Sequence, residues 1–165
     1  MNALLEEAYC KVDRLYGILK EKHLTVATAE SCTGGMVGAI LTHPPGASQY
    51  YMGSIVSYAN RIKTALLGVK EETLDTVGAV SEKTAFEMAN GARQALATSL
   101  AVSLTGIAGP GGESPEKPQG LVYIAVASDA GTVVTKNLFS GDRETVRLQS
   151  ANRALAMLID VALRL

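Results

Sequence analysis

Two histidines, two cysteines and no tryptophan are spread over 165 residues, and each scarcity removes a class of chemistry. His23 and His43 stand apart from each other and from any carboxylate pattern, so a histidine-based metal site or a Ser-His-Asp triad lacks its parts. Cys10 and Cys32 have no CxxC or other ligand spacing around them, and reduced thiols are expected. No apolar run approaches the roughly 20 residues of a membrane span. The N-terminal Met-Asn-Ala-Leu-Leu-Glu-Glu carries acids where a secretory signal would carry bases, so a cytoplasmic protein away from membranes is expected. Fifteen basic and 16 acidic side chains give a net charge of −1 without a Lys/Arg block, which argues against DNA or RNA as a direct ligand.

What remains is a chain of which 47% is hydrophobic, enough for one ordinary domain that folds without metal or disulfide staples. Leu4, Ala8, Val12, Leu15 and Leu19 recur at helical spacing, predicting an amphipathic helix over 3–21. A β-prone run, 24–28, leads through Glu30-Ser-Cys-Thr-Gly-Gly into a helix of small residues that ends before Pro44-Pro45. A second strand is expected over 52–58, then a short helix from Asn60, read as its cap, to Leu67, with Gly68 as the stop. Ser81 caps a helix running to about Thr98, followed by a strand over 100–104. A long glycine- and proline-rich loop starts at Thr105; such loops in compact domains are often functional. Runs 121–128 and 132–139 around Asp129-Ala-Gly read as an antiparallel hairpin, and a helix over 142–163 closes the chain. The alternation of helices and strands with a late hairpin predicts a single domain over 1–165: an α/β fold, a three-layer α/β/α sandwich with a mixed sheet and helices on both faces. In an open sheet the ligand crevice lies beyond the carboxyl ends of the strands, where the loops at Ser31, Tyr58 and Gly106 should emerge together.

Ser31 follows a strand and precedes Thr33-Gly34-Gly35 and a helix, a setting that suits a nucleophile beside free N–H groups of Cys32 to Gly35. The same spacing also serves an ordinary helix cap. Cys32 is a competing nucleophile, but nothing near it in sequence would stabilise a thiolate, and a small core residue is the plainer reading. Lys63 falls in the first turns of a helix, where the dipole disfavours a cation. Drawn into a dry cleft it would lose its proton readily and act as a base; on the surface it would be a solvated lysine. Tyr58 is a candidate to relay a proton or orient Lys63, or is simply a packed ring with a wet hydroxyl. Gly106, Gly109 and Gly111 with Thr105 let backbone amides approach an anionic or planar ligand, without the Lys-Ser/Thr of a Walker loop. Arg143 and Arg147 share one face of the last helix, suited either to a phosphate or to salt bridges with acids such as Glu144.

Five segments in order, Ala29-Glu-Ser-Cys-Thr-Gly-Gly, Tyr58-Ala-Asn-Arg-Ile-Lys-Thr, Gly78-Ala-Val-Ser-Glu, Thr105-Gly-Ile-Ala-Gly-Pro-Gly-Gly and Phe139-Ser-Gly-Asp-Arg, resemble the CinA C-terminal domain family over nearly the whole chain. The resemblance implies a nicotinamide-nucleotide amidohydrolase that converts nicotinamide mononucleotide to nicotinate mononucleotide and ammonia in pyridine-nucleotide salvage. By position it makes Ser31 the nucleophile, Lys63 the general base and Tyr58 a supporting residue. Ligand contacts are then sought among Cys32, Thr33, Gly34, Gly35, Thr105, Gly106, Gly109, Gly111, Arg143 and Arg147. It implies no metal and no organic cofactor, a small nucleotide substrate as partner, and is compatible with a homo-oligomer. Longer members carry an N-terminal domain of the molybdopterin-binding type with pyrophosphatase activity, which this chain is expected to lack. The competence and DNA-damage associations of the family leave a non-catalytic binding role, or an amidase acting on another small substrate, as alternatives.

Overall fold

In a computed structural model that describes residues 2–165, five strands form one mixed sheet. Their order across the sheet is β2 (Tyr51–Val56), β1 (Val26–Glu30), β3 (Leu100–Gly106), β4 (Leu121–Ser128) and β5 (Gly131–Leu138). β1 runs parallel to both β2 and β3, whereas β3–β4 and β4–β5 are antiparallel. Among the described residues there are six α-helices, α1 (Ala3–Lys22), α2 (Met36–Leu41), α3 (Asn60–Leu67), α4 (Glu71–Thr76), α5 (Glu82–Ala95) and α6 (Arg143–Ala162), and one turn of 3-10 helix, Ala47–Gln49.

Side-chain size divides the sheet into two unlike faces. Val26, Leu100, Val102, Leu104, Val122, Ile124 and Val126 form the large-residue face and pack with α1, α2 and α6. The alternate positions, Ala27, Ala29, Ala101, Ala125 and Ala127, are small and meet α3 and α5, whose own contacts include Ala85, Ala89 and Ala92. This is the period-two alternation of a strand buried on both sides. Small against small lets α5 approach closely enough for the buried Ser103 hydroxyl to donate to the Ala85 carbonyl, at 2.6 Å. The three-layer mixed architecture expected from the sequence is the one observed.

The first helix follows its apolar stripe, burying Ala8, Val12, Leu15 and Leu19. Asp142 and Ser81 cap α6 and α5 through Thr145 and Thr84 N–H, and Gly68 ends α3 in the left-handed conformation. Several boundaries moved. β1 begins and ends two residues later than its apolar run and takes in Glu30, whose backbone is paired with Val56 on one side and Leu104 on the other. Ala59, not Asn60, is the α3 cap residue, and Asn60 is the first residue of the helix. The α5 helix stops at Ala95, and α4, with only six residues and little apolar period, was not anticipated.

β4 enters the sheet at the edge where β1, β2, β3 and β5 leave it. Ser31, Ser57, Ile107 and the start of α6 therefore emerge on that one edge.

Candidate active site

Hydrogen bonds continue one step past the ends of the three parallel strands. Ser31 N–H donates to the Leu104 carbonyl at 3.0 Å, and Ser57 N–H donates to the Glu30 carbonyl at 2.8 Å. The chain then reverses through Gly34 and Gly35, at φ +61° and +98°, where a β-carbon would strain the backbone. Gly34 N–H closes the turn on the Ser31 carbonyl at 3.0 Å. Ser31 is thus anchored on both sides, with its side chain 9% exposed.

Lys63 is the fourth residue of α3 and is only 1% exposed. Its Nζ lies 3.0 Å from Ser31 Oγ, 2.8 Å from the Ser57 carbonyl and 3.2 Å from the Tyr58 carbonyl. None of these partners is a carboxylate. Burial lowers the Lys63 pKa, against a smaller opposing influence of the Cys32 thiol. A neutral amine has two N–H donors and one lone pair, so it satisfies both carbonyls while the lone pair faces the Ser31 hydroxyl. The ammonium has three donors for the same three partners, but burial without a countercharge raises its cost relative to water, the physical cause of the lowered pKa.

Cys32 is buried beside this pair, and desolvation pushes its thiol up to about 11, with Glu30 adding to the effect and Arg147 and Lys63 opposing it. At neutral pH it remains a thiol, a poor competitor for the role of nucleophile.

Ser31, Cys32 and Lys63 line a cavity of about 290 Å³. One wall is apolar: Ala79, Val80, Ile107 and Ala108. Thr105 lines the cavity too, and its hydroxyl donates to the Ala79 carbonyl at 2.7 Å, tying that wall to the end of β3. Gly106, Gly109, Gly111 and Gly112 supply backbone along another side. At the mouth, Arg143 donates to the Gly109 carbonyl at 2.9 Å, and a second guanidinium nitrogen lies 3.4 Å from the Tyr58 hydroxyl. Asp142, just before it, caps α6; the hydrogen bond from Thr145 holds its carboxyl below the ordinary range.

The sequence-derived site set divides here. Ser31, Cys32, Tyr58, Lys63, Thr105, Gly106, Gly109, Gly111 and Arg143 all line the cavity, whereas Thr33, Gly34, Gly35 and Arg147 do not. The Thr33 hydroxyl donates to Glu30 at 2.6 Å, and Gly35 N–H does so at 3.0 Å. Arg147 donates to the Thr33 carbonyl at 2.8 Å, bracing the turn from behind. The N–H groups of Gly34 and Gly35 are therefore committed internally, and of the residues Cys32 to Gly35 only Cys32 lines the cavity. Tyr58 holds Lys63 through its backbone carbonyl, not its hydroxyl, and its side chain is largely exposed. Ile107, Ala108 and Gly112 of the glycine loop were absent from the sequence-derived set, as were Asn60, Ala79 and Val80. The motif Gly78-Ala-Val-Ser-Glu carried the signal for the last two. Among the described residues no group of three His, Cys, Asp or Glu side chains converges, and no helix is long and apolar enough to cross a membrane.

Residues 11–162 match the family model described as the CinA C-terminal domain. The chain belongs to that family. It is 50% identical over 144 residues to a CinA-like protein of Thermosynechococcus vestitus, covering 86% of this chain and 35% of that protein. A CinA-like protein of Leptospira borgpetersenii is 42% identical, with 96% of this chain and 41% of the relative covered. The chain thus spans roughly a third to two fifths of the length of the curated relatives it matches. Solved CinA-superfamily structures align along nearly their full length. The competence/damage inducible protein CihA of Agrobacterium tumefaciens superposes with a TM-score of 0.92 at 40% identity, covering 94% of this chain and 95% of that one. A CinA superfamily protein of Klebsiella pneumoniae gives 0.92 at 29% identity, covering 96% and 99%. The CinA fold accordingly extends over the elements that bring Ser31, Lys63 and the glycine loop together.

Proposed function

We propose that this CinA domain hydrolyses the carboxamide of nicotinamide mononucleotide, with Ser31 as nucleophile and Lys63 as general base. The observation that carries the reading is the buried Lys63 Nζ, without a carboxylate partner, 3.0 Å from Ser31 Oγ. Lys63 takes the hydroxyl proton as Ser31 Oγ bonds to the amide carbon, and the carbonyl oxygen becomes an oxyanion beside the backbone of Cys32, the residue of the turn that lines the cavity next to Ser31. The resulting ammonium returns the proton to the departing nitrogen, the C–N bond breaks and ammonia leaves. Water then attacks the acyl-serine, with Lys63 again accepting a proton, and releases nicotinate mononucleotide. The wall of Ala79, Val80, Ile107 and Ala108 suits the faces of a planar ring, and Arg143 at the mouth suits a phosphate.

Ammonia release from nicotinamide mononucleotide by chelator-treated protein tests the reading, alongside Ser31→Ala and Lys63→Met variants of verified fold. Activity that falls by orders of magnitude in both variants supports it. Undiminished activity in Ser31→Ala, or none in the folded wild type, rejects it; the second outcome favours another amide substrate or a binding role.

A further inference from the structure

Glu30 has no exposed surface, yet its side chain is not paired with a cation. It accepts instead from the turn and helix that follow the nucleophile. One carboxylate oxygen takes the Thr33 hydroxyl at 2.6 Å, Gly35 N–H at 3.0 Å and Val37 N–H at 3.1 Å; the other takes Gly38 N–H at 2.8 Å. The Thr28 hydroxyl lies 3.2 Å from the latter oxygen. Through its backbone the same residue accepts from Ser57 N–H, and the Ser57 carbonyl in turn accepts from Lys63. One residue thereby touches both supports of the Ser31–Lys63 pair: the turn that presents the hydroxyl and the strand end that cradles the amine.

From this we infer that Glu30 is a positioning residue for acyl transfer, a role resting on the Ser31–Lys63 reading. Its side chain draws Gly35, Val37 and Gly38 N–H and the Thr33 hydroxyl inward, and so fixes the turn that holds Ser31 and Cys32 at the cavity. A helix leaves its first four N–H groups without intrahelical partners; Glu30 takes three of them at the start of α2, those of Gly35, Val37 and Gly38, and the Thr33 hydroxyl besides, so one buried side chain from the preceding strand holds the whole segment 33–38. Glutamine in its place keeps the length but presents an amide NH₂ to a cluster of donors, so part of the cluster loses its acceptor and the turn relaxes.

The test uses a fluorophosphonate, which reports on Ser31 independently of the natural substrate. Ser31 Oγ bonds to phosphorus, the P–F bond breaks, fluoride leaves and Lys63 receives the proton. Labelling is followed to its final extent and as a rate constant, in wild type, Ser31→Ala, Glu30→Gln and Thr33→Val. The final extent counts folded sites; the rate constant reads their geometry. A displacement of about 1 Å at a reacting group lowers rate by roughly a hundredfold, so Glu30→Gln is expected to label to wild-type extent about ten- to a hundredfold more slowly. Thr33→Val, which removes only the 2.6 Å contact, is expected to slow labelling less, and it decides the matter should Glu30→Gln not fold. Wild-type rate constants in the folded variants, with any loss confined to final extent, overturn the positioning role and leave the Ser31–Lys63 reading standing. A folded wild type labelled no faster than Ser31→Ala overturns that reading, and the role of Glu30 with it.

Discussion

Two glycine-to-alanine substitutions in helices should move stability in opposite directions, and only one should reach the active site. Gly17 lies in α1 with no heavy atom within 4 Å of where a β-carbon would sit. Alanine there gains helix propensity without a clash, about 1 kcal/mol, or about 2–4 °C in melting temperature for a chain of this size. Gly91 lies in α5 where a β-carbon would come within 2.9 Å of Leu67 Cα and 2.6 Å of its carbonyl carbon, and closer still to the carbonyl oxygen. Carbon atoms prefer about 3.5–4.0 Å, so α3 and α5 would have to part by about 1 Å. Both sides of the contact are backbone and cannot rotate away. Overpacking of this kind costs about 3 kcal/mol at the upper end of its usual range, which outweighs the propensity gain of about 1 kcal/mol and leaves a net loss near 2 kcal/mol. The melting temperature should fall by about 4–8 °C. Leu67 is one turn beyond Lys63 on α3, so the displacement also separates the amine from Ser31, and ammonia release should fall by about tenfold or more. Thermal unfolding by circular dichroism and the ammonia assay read the two effects. A Gly91→Ala protein as stable as wild type would refute the packing argument, and one that is less stable but fully active would refute the coupling through α3.

Four further results are measurable, the first two of which follow from the depressed pKa of Lys63. Between its folded-state pKa and 10.5 the unfolded chain binds a proton that the native chain does not, so wild-type stability rises with pH there. Lys63→Met, besides being inactive, should therefore gain most on wild type, or lose least, at the low end of that interval, and an unfolding series across pH that shows no such trend contradicts the burial argument. The rate of wild-type hydrolysis should increase with pH to a plateau whose midpoint lies below 10.5; a midpoint at or above that value would remove the case for a neutral lysine base. Cys32→Ala should keep activity within a few fold, because the thiol it removes stays protonated until about pH 11; loss of activity comparable to Ser31→Ala would reassign the nucleophile. Arg143→Ala should raise KM for nicotinamide mononucleotide more than it lowers kcat, and equal hydrolysis of phosphate-free and phosphorylated substrates by wild type would dissociate Arg143 from the phosphate.

Periodicity made the large helices legible: the stripe from Ala8 to Leu19 is the buried face of α1, and the β-branched runs on either side of Asp129-Ala-Gly are the hairpin. The shared strand edge was legible as well, since parallel β1, β2 and β3 put their following loops together. Less accessible was anything decided by direction in space. Two arginines four apart look equivalent, but Arg143 reaches the cavity while Arg147 is turned to the Thr33 carbonyl. Glu30 read only as the first residue of the segment that leads from the strand into the turn; its partners lie three to eight residues downstream and become neighbours only once the turn at Gly34 and Gly35 has formed. The burial of Lys63, on which the proposed chemistry depends, needed α3 folded against the sheet.

The single irregularity in the β1–β2 ladder falls between Val26 and Ala27, after which the register runs evenly to Glu30 opposite Val56. Ser31 and Ser57 are the next rung. The separation of Ser31 from the Ser57 carbonyl that receives Lys63 is consequently gauged by main-chain bonds, with the slack in the ladder taken up at its opposite end. Changes in loop length near Tyr50 can be absorbed there, as play at the hinge of a pair of tongs leaves the tips aligned.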